Sequence, residues 1–231
     1  MKLLFVASHP MEFPGILSHA SNPRPAKLAA DWARTARLNP HDVLLVANGA
    51  GATRAAAAVD AALAVFEADA IVSTGFCGAL VPGLAIADVV VASSVVTAVR
   101  PYPAVQPTCA AAHHTGVICS IGHVAQSASE KAGLRASGGT AVEMEAAGVA
   151  ERAATRGLPF YCIRVVTDLA GENMANDFNA ALRPDGHFAT MLILRGAVRH
   201  PWVRLPELIR LRRRSVRAAW VLGDFIADCR F

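Results

Sequence analysis

The chain has 231 residues, 54% hydrophobic and 17% charged, a balance that supports one sizeable packed core and excludes a disordered chain. Lys+Arg number 22 and Asp+Glu 18, for a formal charge of +4; no charge-free run of about 18 apolar residues occurs, so no spanning helix is expected. The five cysteines, Cys77, Cys109, Cys119, Cys162 and Cys229, are scattered and include no C-x-x-C pair. That pattern argues against a disulfide framework or a thiolate zinc site and fits a reducing, cytoplasmic setting.

In chain order, the opening MKLLFVASHP lacks the charged start, long apolar centre and cleavage site of a signal peptide and reads as a first strand over residues 2–7. A second strand is expected over 40–47, then the turn Gly49-Ala50-Gly51 and a helix over 53–66. Further strands are expected over 70–74, 88–93, 95–99 and 117–120. Residues 141–155 read as a strand end running into a helix closed by Gly157, and 160–166 as a buried strand ending at Thr167-Asp168. Continuous apolar strands between alanine-rich helices indicate an α/β protein with a sheet covered on both faces. No repeat or linker is visible, so residues 1–231 read as a single domain. Residues 195–231 hold nine Arg against Glu207, Asp224 and Asp228, a net of +6. An amphipathic helix is expected around 206–226, with Leu208, Leu211, Ser215, Ala219 and Leu222 on one face. It reads as a docked surface helix, with peripheral contact to an anionic membrane surface as the alternative. No nucleic-acid module accompanies the charge.

In an open α/β sheet, ligands bind beyond the C-terminal strand ends. That rule selects residues 8–12, 49–54, 73–80, 142–146 and 164–168. The Gly49–Gly51 turn exposes backbone N–H groups near a helix start, which suits an anion, and Arg54 adds a charged donor. The third glycine of a dinucleotide fingerprint and a Gly-Lys-Ser/Thr are both missing, so no NAD or ATP cofactor is expected. Glu143 and Glu145 flank Met144 at a strand-to-helix joint. A carboxylate there serves either as a helix-end charge or as the acceptor of two sugar hydroxyls. Asp168 is either a turn residue or, if enclosed, a carboxylic acid able to donate a proton. His113, His114 and His123 lack metal-ligand spacing.

These segments, in this order, resemble the nucleoside phosphorylase/nucleosidase superfamily, and most specifically the branch of the methylthioadenosine/adenosylhomocysteine nucleosidases. The resemblance rests on Met11-Glu12, the Gly49–Gly51 turn, the run Ser73-Thr74-Gly75-Phe76-Cys77-Gly78-Ala79-Leu80, and the spacing of Val142–Ala146 to Arg164–Asp168. It implies a three-layer α/β/α fold with a twisted mixed sheet, a homo-oligomer, and cleavage of the N-glycosidic bond of a small purine nucleoside. It implies Asp168 as the acid at purine N7, Glu145 as the ribose-diol acceptor and Met144 as the apolar contact beneath the sugar. Gly75 and Phe76 fall at positions near the substrate, with Phe76 where the nucleosidases often carry a small hydroxyl residue; Phe160 falls where an apolar residue begins the strand leading to Asp168, as a substrate contact or as a core residue only.

The run Met11-Glu12-Phe13-Pro14 departs from the branch, because Pro14 stands where a water-activating Glu is expected. Two routes therefore stay open. Glu12 activates water in a shifted register, or inorganic phosphate acts as co-substrate, held by Gly49, Gly51 and Arg54. A second resemblance, carried by Glu130–Leu134, Gly157–Phe160 and the arginine-rich tail, is to hopanoid-associated phosphorylases. It implies an adenosyl-lipid substrate. Futalosine hydrolase is a further member of the same superfamily.

Overall fold

The computed structural model describes residues 1–231. Ten strands and seven helices follow one another as β1 (Lys2–Ala7), α1 (Pro14–Ser18), β2 (Ala20–Pro25), β3 (Trp32–Leu38), β4 (His41–Ala47), α2 (Ala52–Leu63), β5 (Ala70–Ala79), β6 (Val89–Val96), β7 (Pro101–Pro103), β8 (His114–Ser120), α3 (Ala128–Ala136), β9 (Ala141–Glu143), α4 (Ala146–Arg156), β10 (Phe160–Asp168), α5 (Phe178–Ala181), α6 (Thr190–Arg199) and α7 (Pro201–Asp228).

The sheet is mixed, and half of it closes on itself. β5 pairs with both β10 and β9, β10 with β6, β6 with β8, and β8 with β9, which completes a small barrel. From β5 the sheet continues through β1, β4, β3 and β2. Strand β1 runs parallel to both β4 and β5, which bury its two edges, and Leu3, Leu4, Phe5 and Val6 are fully enclosed. This is why its sequence is continuously apolar rather than alternating. Two apolar clusters cover the sheet. One joins it to α2 and α4, the other to the C-terminal half of α7.

The tail helix is longer than the sequence reading placed it. It starts at Pro201 and carries Pro206 inside it, where an interior proline reads as a helix start. Its docked face holds Ala218, Leu222, Phe225 and Ile226. It crosses α1 at backbone contact: a Cβ on Gly223 would lie 2.0 Å from the Gly15 carbonyl carbon. No helix is long and apolar enough to cross a membrane.

Three expectations need correction. The 88–99 region is one strand, β6, paired with β10 on one side and β8 on the other. Strand β5 does not stop at Thr74 but continues through Gly75 to Ala79. Cys109 and Cys229 are disulfide-bonded, with Cα atoms 4.5 Å apart across a sequence separation of 120. The bridge between Thr108 and Arg230 brings them together, a meeting that cysteine spacing does not encode.

Candidate active site

Strand β1 delivers the chain to the first carboxylate. Past Ala7 a single 3-10 turn over Pro10–Glu12, capped by His9, folds Glu12 back over the strand end. Its Oε2 accepts hydrogen bonds from the Ser8 backbone N–H at 2.9 Å, the Ser8 hydroxyl at 2.9 Å and the His9 N–H at 2.8 Å. Its Oε1 accepts from the Phe76 N–H at 2.9 Å. Four donors fix a side chain that is only 2% exposed. The passage over β5 depends on Gly75, which has φ +134°, and a Cβ there would sit 2.3 Å from Glu12 Oε1.

The second group forms where β9 passes into α4. The chain leaves the strand at Glu143, and Glu145 is the residue before the helix. The two glutamates consequently diverge and take different tasks. Glu143 Oε2 accepts from the N–H groups of Glu145 and Ala146, both at 2.8 Å, and so caps the helix start. It also pairs at 2.5 Å with Arg164, which is fully buried and donates further to Ser73 and to the Thr74 carbonyl. Glu145 faces the cavity. Its Oε1 accepts from the Gly51 N–H at 3.1 Å, and its Oε2 is 3.6 Å from Arg164. Burial first, and then the neighbouring Glu143 charge, push its carboxyl up to about 8 against the pull of Arg164.

The third group ends β10. Asp168 is 8% exposed and pairs with the fully buried ammonium of Lys131, which also donates to the Leu169 carbonyl at 2.9 Å. Thr167 Oγ1 lies 3.3 Å from Asp168 Oδ1. Burial raises the Asp168 carboxyl above its ordinary value, and Lys131 opposes that rise. The following loop is tied to the tail helix. Glu172 accepts the Leu169 N–H at 3.0 Å and two bonds from Arg214, at 2.7 and 2.9 Å.

All three groups meet at one cavity of ≈ 400 Å³, a size suited to a small organic ligand. Glu12, Phe76, Met144, Glu145 and Asp168 line its inner part, and Met174, Phe178, Phe188, Ile193 and Leu211 give it an apolar wall. Gly75 supports it from behind Glu12. Phe160 is not there. It is a core residue at the opposite end of β10, eight residue steps or about 26 Å from Asp168.

The expected anion cradle is also differently employed. The N–H groups of Gly49, Ala50 and Gly51 are taken by the Ser8 carbonyl, the Gly186 carbonyl and Glu145. Arg54 donates to the Asn48 carbonyl at 2.6 Å, the Asn48 side chain at 3.1 Å and Asp31 at 2.9 Å. Conversely, Lys131 escaped the sequence reading as a site residue, since a lone lysine in an alanine-rich helix carries no sign of burial. So did His123, which lines the cavity and bonds Glu130 at 2.5 Å.

A closed barrel extended by a mixed sheet, with buried carboxyl groups around a cavity at the strand ends, is the setting in which the family match falls. Residues 29–111 and 104–195 match the phosphorylase superfamily, and the chain belongs to that family. It is an enzyme of the nucleoside phosphorylase/nucleosidase superfamily. A 5′-methylthioadenosine/S-adenosylhomocysteine nucleosidase of Chromohalobacter salexigens is 25% identical over 222 residues, covering 83% of this chain and 94% of the relative. The nucleosidase of that name from S. pneumoniae, solved with a transition-state inhibitor, superposes with a TM-score of 0.75 at 19% identity, covering 99% of this chain and 97% of that one. Futalosine hydrolase of Helicobacter pylori has a TM-score of 0.73 at 16% identity, covering 99% and 96%. The second and third of these likenesses speak to the fold alone.

Proposed function

We propose that this enzyme hydrolyses the N-glycosidic bond of a 5′-substituted adenine nucleoside of the 5′-methylthioadenosine/S-adenosylhomocysteine type. The observation that carries the choice of hydrolysis over phosphorolysis is that the three N–H groups of the Gly49–Gly51 turn and the Nε and Nη2 of Arg54 are all engaged by protein groups, while Glu12 lines the cavity.

In this reading Asp168 is the general acid. Burial favours its protonated form, and transfer of that proton to purine N7 lets the base leave as a neutral molecule. Lys131 then stands against the carboxylate left behind. The sugar becomes oxocarbenium-like, as in other glycoside cleavages, and the Glu12 carboxylate stabilises that charge. Water adds at C1′, its proton passes to Glu12, and the products are adenine and the 5′-substituted ribose. Glu145 accepts hydroxyl hydrogen bonds from the ribose diol, with Met144 packed against the sugar.

The apolar wall of the cavity supports an apolar 5′-group. It also keeps open a second reading, the lipid-linked nucleoside of the hopanoid-associated resemblance, although the relatives named above are nucleosidases and lend that reading no support. Adenine release from 5′-methylthioadenosine, adenosylhomocysteine, adenosine and a series of 5′-alkylthioadenosines, each with and without phosphate, tests both points. Strict phosphate dependence would overturn the hydrolytic assignment. A kcat/KM that climbs with alkyl length well beyond methylthio would favour the second reading over the first.

A further inference from the structure

The arginine-rich tail has two apolar faces. One is docked on the sheet. The other is open. On α6, Met191, Leu194 and Val198 recur at spacings of three and four and are 70%, 43% and 70% exposed. On α7, Trp202, Leu205, Ile209, Val216 and Trp220 follow the same period, and Trp202 is 91% exposed. Such a stripe, opposite a docked face, is unlike the scattered single apolar residues of an ordinary surface.

Its charge setting says what it would meet. Residues 190–223 contain eight arginines and one acidic residue, Glu207. Glu207 is 3% exposed and spent on the Ala175 and Asn176 N–H groups. Arg214 is held by Glu172 and Arg204 by the Gly196 carbonyl. Arg195, Arg199, Arg210, Arg212, Arg213 and Arg217 remain exposed, Arg210 with a loose contact of 3.9 Å to Glu207. At 3.6 residues per turn, Arg210, Arg213 and Arg217 lie along one edge of the α7 stripe and Arg212 along the other. An exposed Trp amid apolar residues, edged by arginines, matches the headgroup boundary of an anionic bilayer. A second copy of the chain is a poor match, because a two-fold pairing of this face would bring two arginine-edged stripes together with no exposed carboxylate between them.

We infer that α6 and the N-terminal half of α7 dock the enzyme onto an anionic lipid surface. This contact is peripheral, since neither helix can span, and it is independent of which nucleoside is cleaved. Ile193 and Leu211, on the inner sides of these helices, line the cavity, so the docked face is the outer side of the cavity wall.

The test is co-sedimentation of the full chain with phosphatidylcholine vesicles carrying or lacking phosphatidylglycerol, at low and high salt. Binding is expected only with phosphatidylglycerol and should weaken with salt. Trp202→Ala with Ile209→Ala should weaken it about tenfold or more. Each of Arg210→Gln and Arg213→Gln should weaken it about fivefold. Turnover of dissolved nucleoside should stay unchanged in all of these variants, which shows that they fold. No binding to phosphatidylglycerol vesicles at low salt would overturn the inference, as would binding unaffected by the Trp202/Ile209 pair. A concentration-dependent dimer in sedimentation equilibrium that Trp202→Ala dissolves would assign the face to a second copy instead.

Discussion

Glu145 offers a test in which function and stability pull in opposite directions. Folding lifts its carboxyl from 4.5 to about 8, chiefly through burial and then through Glu143. The folded state therefore binds this proton more tightly than the unfolded chain does. The stability that goes with the proton is present in full below about pH 4.5 and is lost as pH rises through about 8. A shift of about 3.5 units at about 1.4 kcal/mol each sets an upper bound of about 5 kcal/mol; relaxation around the buried group brings the expectation for this residue to about 3 kcal/mol. Glu145→Gln keeps an oxygen that can accept the Gly51 N–H and removes the titrating group. In urea unfolding, the variant and the parent should differ little near pH 5. The variant should gain steadily toward pH 8, by about 1–2 M in midpoint, while ribonucleoside binding weakens. A stability difference that stays flat between those pH values would refute the argument that this carboxylate is held at a cost.

Three further outcomes follow from the same geometry. Asp168→Asn should lose about 10²–10⁴-fold in kcat while keeping most of its affinity for a bound nucleoside analogue, measured by calorimetry; turnover that survives would remove Asp168 from the acid role. Lys131→Met removes the ammonium that pairs with Asp168, whose other near neighbours are Thr167, Cys77, Glu172 and, more distantly, Arg214. The alkaline limb of the kcat–pH profile should then move to higher pH, Lys131→Arg should restore part of it, and a limb that moves down would contradict the pairing. Gly75→Ala must place a Cβ on Glu12 Oε1 at a backbone angle that alanine resists. It should cost about 1–3 kcal/mol of stability and most of the turnover; parent-like kcat would show that Glu12 is not needed where it stands.

The parts of the fold legible in the sequence are those whose local pattern and tertiary fate coincide. Strands β1, β4 and β10 are buried throughout or nearly so, so continuous apolar runs announce them. Gly157 stops α4 with φ +65°, as its position after Arg156 suggests. The hairpin of β2 and β3 escaped because it lies at the sheet margin. Most of β2 is exposed and holds Pro23 and Pro25, so neither apolar periodicity nor strand propensity marks it. The helix α3 escaped because only Lys131 on it is buried.

The site was legible to the extent that the chain returns to the same strand ends. Asp168 and the Glu143–Glu145 joint follow directly from apolar strands. The sequence could not divide the labour between the two glutamates, since that depends on α4 starting at Ala146. Nor could it show that Arg54 is committed to Asp31 and Asn48, which reach it from the loop between β2 and β3 and from the end of β4. Phe160 shows the converse error: a strand leads to the site, but its first residue lies a full strand length away.

Under the proposed function the cavity hydrolyses a 5′-substituted adenine nucleoside with Asp168 as the acid. The most direct measurement is adenine release from 5′-methylthioadenosine in phosphate-free buffer, run side by side with the parent enzyme and Asp168→Asn. The parent should release adenine at a rate that added phosphate does not change, and the variant should lose about 10²-fold or more. No release without phosphate, or equal release by both proteins, would contradict it.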